Sequence, residues 1–199
     1  MSIQLIGEKV TLRDITEADI HEMYFHCYES DDREHLKWNG PYRTQEWISY
    51  KEFARKYEPE VVLTGTDMPR NHLMIEIEGE LKGTVGRYWV SEVTNWFEIG
   101  IVIYDSNYWS GGYGTEAFRL WMGYLFNSLD TVRLGIGTWS GNERMIRLAA
   151  RCGMIEEARV RKARIVRGEY FDAIKMGILR EEWAAAESHR ISDGGTIHG

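Results

Sequence analysis

The run YWSGGYGTEAF, Tyr108 to Phe118, places Gly111, Gly112 and Gly114 just ahead of a stretch that reads as helix. Glycine lets the main chain approach a ligand with no Cβ in the way. A glycine turn at a helix N-terminus presents unpaired N–H groups, reinforced by the helix dipole, and phosphate is the anion best suited to them. The amides from Gly111 to Thr115 are the candidate cradle. A tight strand-to-helix connection with a glycine cap is the other reading of the same residues. The loop lacks the Gly-Lys-Ser/Thr of a triphosphate loop, and Gly112-Tyr113-Gly114 is not completed to the dinucleotide fingerprint. Upstream, Glu98 is the one carboxylate inside the apolar strand WFEIGIVIY, on a face with Gly100 and Val102. Burial would raise its pKa towards the working range of a general base; pairing with a basic neighbour to fix the strand is the structural alternative.

The elements around these residues alternate in type. LIGEKVTLRDI reads as a first strand, and Thr16 with Asp19 forms an approximate capping box for a helix whose stripe is Ile20, Met23, Tyr24 and Cys27. An acidic loop, ESDDREHLKWNGPYR, leads to a second helix carrying Trp47, Ile48 and Phe53, and PEVVLTGTDMPRN reads as connection. HLMIEIE and LKGTVGRYWV form a hairpin across Gly79-Glu80, followed by the Glu98 strand, the glycine loop and a helix to about Asn127. The strand VRLGIGTW, a helix from Asn142 to Cys152 ended by Gly153, and a hairpin across Arg167-Gly168 complete the order. Gly135 and Gly137 share one face and leave room for a ligand or a helix. This order implies an α/β fold of the α+β type: a mixed sheet with helices on both faces, not a doubly wound parallel sheet. One domain over residues 1–181 and a fraying C-terminal extension over 182–199 are expected.

The chain of 199 residues has a net charge of −7, against the basic footprint of a nucleic-acid binder. An acidic surface suits a cationic substrate and equally serves solubility. No apolar run is long enough for a membrane span and no leader is evident, so a cytoplasmic location is expected. Cys27 and Cys152 read as buried thiols of a reducing compartment, and the six histidines show no ligand spacing, so no metal is expected.

The stretch EIGIVIYDSNYWSGGYGTEAF resembles motif A of the GNAT superfamily, the acetyl-CoA-dependent N-acetyltransferases, and within it the RimJ/RimL-like branch of ribosomal-protein N-terminal acetyltransferases. The motif, Arg/Gln-x-x-Gly-x-Gly/Ala, is here Trp109-Ser110-Gly111-Gly112-Tyr113-Gly114, with Trp109 departing from its first position. A second block, TWSGNERMIRLAARCGMIEEARVR, matches the following strand, the Asn-led helix and the Cys-Gly turn, and the likeness runs from the first strand to LREEW.

The resemblance implies a mostly antiparallel sheet whose central strands splay, with pantetheine in the gap and pyrophosphate on the glycine loop. It implies main-chain bonds from Ile101 and Ile103, and cofactor contacts from Trp109, Ser110, Gly111, Gly112, Tyr113, Gly114, Thr115, Asn142 and Arg147. An N-cap role also explains Asn142, and a solvated face also explains Arg144, Arg147 and Arg151. Glu98 is the expected base, acting through water, in direct attack of a primary amine on acetyl-CoA, with backbone N–H groups stabilising the oxyanion. The positions where the family places a proton donor are Ala149 and Met145, which leaves Tyr108, Tyr113 and Tyr170 as substitutes, or departure of the thiolate unassisted. The acceptor, a small-molecule amine or a protein N-terminus, would lie under the loop with Asp31, Asp32, Glu34 and Trp38. A plain solvated loop also explains those charges. No nucleic acid or membrane partner is expected, and the chain is expected as a monomer or homodimer. A non-catalytic acyl-CoA sensor or scaffold is the alternative, and a nucleotide-binding protein with an atypical phosphate loop is a third reading.

Overall fold

A computed structural model describes residues 2–43 and 46–194. The strands are β1 (Gln4–Ile6), β2 (Thr11–Arg13), β3 (His72–Ile77), β4 (Glu80–Ser91), β5 (Trp96–Ile103), β6 (Arg133–Trp139), β7 (Ile155–Val166) and β8 (Glu169–Leu179). The helices are α1 (Glu17–Tyr24), α2 (Tyr50–Leu63), α3 (Tyr113–Ser128), α4 (Glu143–Arg151) and α5 (Arg180–Gly194). All strands join one sheet in the order β1-β2-β3-β4-β5-β6-β8-β7. Neighbours run antiparallel except β5 and β6, so the sheet is mixed and mostly antiparallel, as expected.

Strand alternation divides the core into two layers. Leu73, Ile75, Val85, Phe97 and Ile99 face α3 and α4, meeting Phe118, Trp121, Leu125 and Ala149. Between them on the opposite face, Met74 joins Ile20, Met23 and Tyr24 of α1 and Phe53 of α2. Helices therefore cover both faces.

Local chemistry sets several boundaries differently from expectation. The expected first strand is two, because Gly7 N–H bonds Val10 O at 2.9 Å and turns the chain back. The first helical stripe is interrupted after Tyr24, where a π-helical turn, Phe25–Glu29, carries Cys27 at half-burial. Trp47 and Ile48 lie ahead of α2, whose start is fixed by a capping box between Ser49 and Glu52. The same helix runs through Pro59 to Leu63, where connection was expected. The proline removes a single backbone donor, while Val61 beyond it packs in the core and Glu60 Oε1 accepts from Asn71 Nδ2 at 2.8 Å. The first hairpin turns at Glu78-Gly79, both at positive φ (54° and 81°), one residue earlier than expected. At the chain end, Trp183 of α5 is buried beside Phe126, and residues 195–199 of the expected loose tail lie outside the described residues.

Two arginines tie the layers together. Arg180 donates to the carbonyls of Phe126, Leu129 and Thr131, which satisfies the C-terminal end of α3. Arg70 is buried with Asp14, its Nε 2.7 Å from Oδ1, and Asp14 Oδ2 also accepts from Ile3 N–H at 2.9 Å. Removing one partner of a buried pair strands the other charge, a loss of about 3–5 kcal/mol. Arg70→Met should therefore lower the urea midpoint strongly, and adding Asp14→Leu should recover much of the loss. A double variant no more stable than the single one would refute this account of the pair.

Candidate active site

β5 and β6 register at a single residue pair, Glu98 with Gly135, and then part. β6 instead pairs along its whole length with β8. Tyr104 N–H bonds Lys82 O on β4, and strand groups alternate in direction, so Ile99, Ile101 and Ile103 aim their N–H and C=O groups towards β6. Beyond the one registered pair these groups face a cavity of about 870 Å³, walled by Ile99–Ile103 and Ile136–Trp139. The Ile103 carbonyl accepts from Trp109 Nε1 at 2.9 Å, so its N–H, together with both groups of Ile101, faces the gap.

The glycine loop closes one end of this cavity. Gly111 and Gly112 sit at φ 87° and 91°, which an L side chain rarely adopts. α3 begins at Tyr113 without a side-chain cap, and its first backbone bond joins Glu116 N–H to Gly112 O. The N–H groups of Tyr113, Gly114 and Thr115 therefore have no acceptor within the helix and lie at its positive end. A Cβ on Gly114 would come 3.2 Å from Leu148 Cδ1, so glycine there lets α3 approach α4. Trp109, Ser110, Gly111, Gly112, Gly114 and Thr115 line the cavity. The Tyr113 ring packs on Tyr108 at 5.4 Å, outside the lining.

Glu116 holds the loop in place. Its carboxylate accepts the backbone N–H groups of Glu8 and Lys9, the latter at 3.1 Å, which pins the β1–β2 turn against α3. A Cβ on Gly7 would lie 2.0 Å from Glu116 Oε1, so this approach needs glycine. Lys9 Nζ then donates to Gly111 O at 2.5 Å.

α4 supplies the opposite wall. Asn142 caps it, Oδ1 accepting from Met145 N–H at 3.2 Å, while Nδ2 donates to Trp38 O at 3.2 Å. Arg144, Arg147 and Arg151 all line the cavity. The Arg144 guanidinium lies 4.6 Å from the Trp109 ring and 4.9 Å from the Trp38 ring. Arg147 pairs with Glu143 at 2.7 Å, an exposed i,i+4 contact.

Glu98 is buried, 3 % exposed, and is cross-strand to Tyr88. Tyr88 Oη donates to Glu98 Oε2 at 2.9 Å, and Lys175 Nζ donates to Oε1. Burial first, and then the Glu98 charge, raise the Tyr88 phenol well above its usual range, so it stays protonated. A Cβ on Gly137 would lie 2.8 Å from Glu98 Oε2 and 3.0 Å from Lys175 Nζ. Gly137 thus makes room for a carboxylate and an ammonium, while a Cβ on Gly135 would meet Met176 O at 3.2 Å and the Arg133 guanidinium at 3.3 Å. Glu98 does not itself line the cavity, whereas Tyr88 and Gly137 do.

None of Tyr108, Tyr113 and Tyr170 lines the cavity. Tyr108 Oη is 3.3 Å from Glu78, and Tyr170 lies exposed on β8. Ala149 is fully buried in the core, while Met145 lines the cavity. The tyrosines on the cavity wall are Tyr42, Tyr57 and Tyr88, none of which the sequence singled out. Asp31, Asp32 and Glu34 are absent from the wall; Asp32 caps the backbone of Glu34, and Glu34 pairs with Lys37. His35, Trp38, Tyr42 and Arg43 of that loop do reach the cavity, His35 at 4 % exposure. Among the described residues no group of three or more His, Cys, Asp or Glu side chains could hold a metal, and no helix is long and apolar enough to cross a membrane.

A family model described as an acetyltransferase (GNAT) domain matches residues 9–155. The putative ribosomal N-acetyltransferase YdaF of Bacillus subtilis (strain 168) is 29 % identical over 106 residues, covering 53 % of this chain and 57 % of that protein. Spermidine N(1)-acetyltransferase of Escherichia coli (strain K12) is 27 % identical over 119 residues, covering 60 % of this chain and 63 % of that one. The match thus spans less than two thirds of either curated relative. Among solved structures, spermidine N-acetyltransferase from Vibrio cholerae in complex with CoA and spermine superposes with a TM-score of 0.71 at 19 % identity, over 89 % of this chain and 99 % of that one. RimL, the ribosomal L7/L12 α-N-protein acetyltransferase in complex with coenzyme A, gives 0.69 at 15 % identity, over 90 % and 98 %. At these identities the likeness establishes the fold.

Burial, and then the neighbouring His26, lower the His35 pKa from 6.5 to about 4. Between those values the unfolded chain binds a proton that the folded chain does not, so stability is full above pH 6.5 and falls as pH drops towards 4. His35→Phe should lose less of its melting temperature than the parent between pH 7.5 and 4.5. Parallel losses in the two proteins would rule out a neutral, buried His35.

Proposed function

The chain belongs to the GNAT acetyltransferase family, and on that premise we propose that it transfers the acetyl group of acetyl-CoA to a primary amine in a ternary complex. One observation carries the reading: the uncapped N-terminus of α3 stands at the end of the cleft where β5 and β6 part, beside β5 backbone groups that have no strand partner on the β6 side. The left-handed glycines and the row of free helix amides fit a diphosphate, and the strand groups fit an amide-bearing arm. The acetyltransferase domain is read as residues 1–181 and the rest as an extension. The half-buried Cys27 and the buried Cys152 suit a reducing cytoplasm.

Acetyl-CoA, when bound, supplies an acetyl group activated as a thioester. The N–H groups from Gly111 to Thr115 would hold its diphosphate, with Trp109 and Ser110 shaping the loop. Asn142 and Arg147 would bound the nucleotide end. Backbone groups of Ile101 and the N–H of Ile103 would pair with the pantetheine amides.

Glu98 is the base in this reading, and Tyr88 is its route to the cavity. As the C–N bond forms and the thioester C–S bond breaks, the attacking amine would give a proton to Tyr88 Oη while the Tyr88 proton passes to Glu98 Oε2. No charge is left on the phenol, and the thiol of the carrier would leave as its thiolate, a tolerable leaving group with a pKa of about 8.5. Lys175 holds Glu98 in the position to accept it. General-base assistance of this kind contributes about 10²–10⁴-fold.

Two outcomes follow. Glu98→Gln and Tyr88→Phe should each lower kcat by roughly 10²-fold in a thiol-release assay over an amine panel, with the acetyl-CoA melting shift retained. Shift without release on any amine, in the parent protein, would make the chain an acyl-CoA sensor instead. Gly112→Ala, forced to φ near 91°, should lose the melting shift that acetyl-CoA gives the parent, since only a bound ligand stabilises the folded state. A shift unchanged by Gly112→Ala would remove the loop from the site.

A further inference from the structure

Among its described residues the cavity wall contains no aspartate or glutamate. It does contain Arg43, beside Tyr88, as well as the arginines of α4. This is unexpected in a chain of net charge −7. None of the acidic residues of the loop that leads to the cavity lines its wall, Glu34 being paired with Lys37, and Glu98 behind the wall is already matched by Lys175. A cation with charges along its length would find no carboxylate on the wall itself, and Glu60 behind it is held by Asn71 and His72.

The positive lining continues outward. The segment 158–168 carries Arg159, Arg161, Lys162, Arg164 and Arg167 and no acid. It forms the outer strand of the β7–β8 hairpin, where the ladder is broken: Val160 pairs with Ala173 and Arg164 with Phe171, so three residues oppose Asp172 alone. Lys162, in the middle of this bulge, sits at φ 53°, and its N–H bonds Asp172 Oδ1 at 2.9 Å. Bulges of this kind re-aim side chains next to active sites, and a non-glycine residue at positive φ stores strain that the surroundings must hold. Here the bulge exposes Arg161 and Lys162. Arg164 then lies 4.7 Å from the ring of Tyr42, which lines the cavity next to Arg43. Arg159 is paired with Glu156 and Asp172, but among the described residues no carboxylate oxygen lies within 4.0 Å of the side-chain nitrogens of Arg43, Arg161, Lys162 or Arg164, Asp172 meeting Lys162 only at its backbone N–H.

We propose that the acceptor is the N-terminus of a polypeptide whose following residues are acidic, its amine at Tyr88 and its side chains running past Arg43 to Arg164, Lys162 and Arg161. This rests on the acetyltransferase reading and narrows it. The cationic track extends beyond the cavity, farther than a small amine would use. The same charges repel a polyamine, so they discriminate as well as attract.

The test uses an octapeptide with acidic residues at its second to fourth positions, the same peptide with lysines there, and spermidine. The parent protein should acetylate the acidic peptide with a kcat/KM at least about tenfold above either of the others, the advantage falling steeply with salt. Arg161→Glu with Lys162→Glu should raise KM for the acidic peptide by about tenfold at unchanged kcat, and Arg43→Glu should reverse the preference between the peptides. Equal or better turnover of spermidine, or a KM indifferent to these reversals, overturns the proposal. Binding of the fluorescein-labelled acidic peptide, read by anisotropy, separates this outcome from failure of the acetyltransferase reading. Charge-dependent binding with no turnover of any amine leaves the peptide site standing, whereas absence of binding removes it. Displacement of the peptide by single-stranded RNA of equal charge would make the hairpin a nucleic-acid surface and overturn the proposal too.

Discussion

The site depends on an interruption in the sheet. Parallel strands normally exchange evenly spaced hydrogen bonds along their length, and β5 and β6 stop after one registered pair. A buried strand with unmatched N–H and C=O groups is costly unless something else bonds them. The sheet remains continuous because β6 is fully paired on its other side with β8, and β5 with β4. The unmatched groups are thereby confined to one face-to-face gap. One of them, the Ile103 carbonyl, is satisfied by the Trp109 indole, and that bond also fixes the approach of the glycine loop to the end of the gap. Strand parting and loop placement are therefore one arrangement.

The polar group beside the gap follows the same economy. Glu98 occupies an otherwise apolar strand, and both its oxygens are used, by Tyr88 and by Lys175. Gly137 on β6 leaves the volume that the carboxylate and ammonium fill; a side chain there would strike both. The carboxylate stays out of direct contact with the cavity, while its phenol partner is on the wall. A carboxylate placed so is buried and meets the cavity through the hydroxyl of Tyr88.

Most of this fold was legible in the sequence because its signals are local. The Thr16 capping box, the Asn142 cap, the Gly153 stop and the Arg167-Gly168 turn each depend on residues within four positions of one another. The glycine loop was legible for the same reason. The errors came where distant packing overrides local preference. Pro59 reads as a helix end, yet α2 continues because Val61 packs against the sheet. Trp47 and Ile48 read as helical, yet Ser49 and Glu52 cap the helix after them. The pairing of Tyr88 with Glu98 needs the β4–β5 register, and an irregularity between Trp89 and Ser91 shifts any count made outward from the turn. The partner of Glu98, Lys175, lies 77 residues away, and only the sheet order brings it there.

Trp38 joins the two ends of the cavity. Its carbonyl accepts from Trp139 Nε1 at 3.1 Å and from Asn142 Nδ2, so the loop before α2 is fastened to β6 and to the cap of α4. Its ring stacks near that of Trp139, with centroids 6.5 Å apart, and on another side meets Arg144, whose guanidinium also rests on Trp109 in the glycine loop. A cation shared between two indoles is attracted by both ring faces, and moving either ring away gives up one contact. The loop carrying Tyr42 and Arg43 is thereby coupled to the loop expected to hold the diphosphate. Neither can swing outward without breaking an indole contact or a bond to the Trp38 carbonyl, so the distance between the two binding regions is set by side chains from four separate elements.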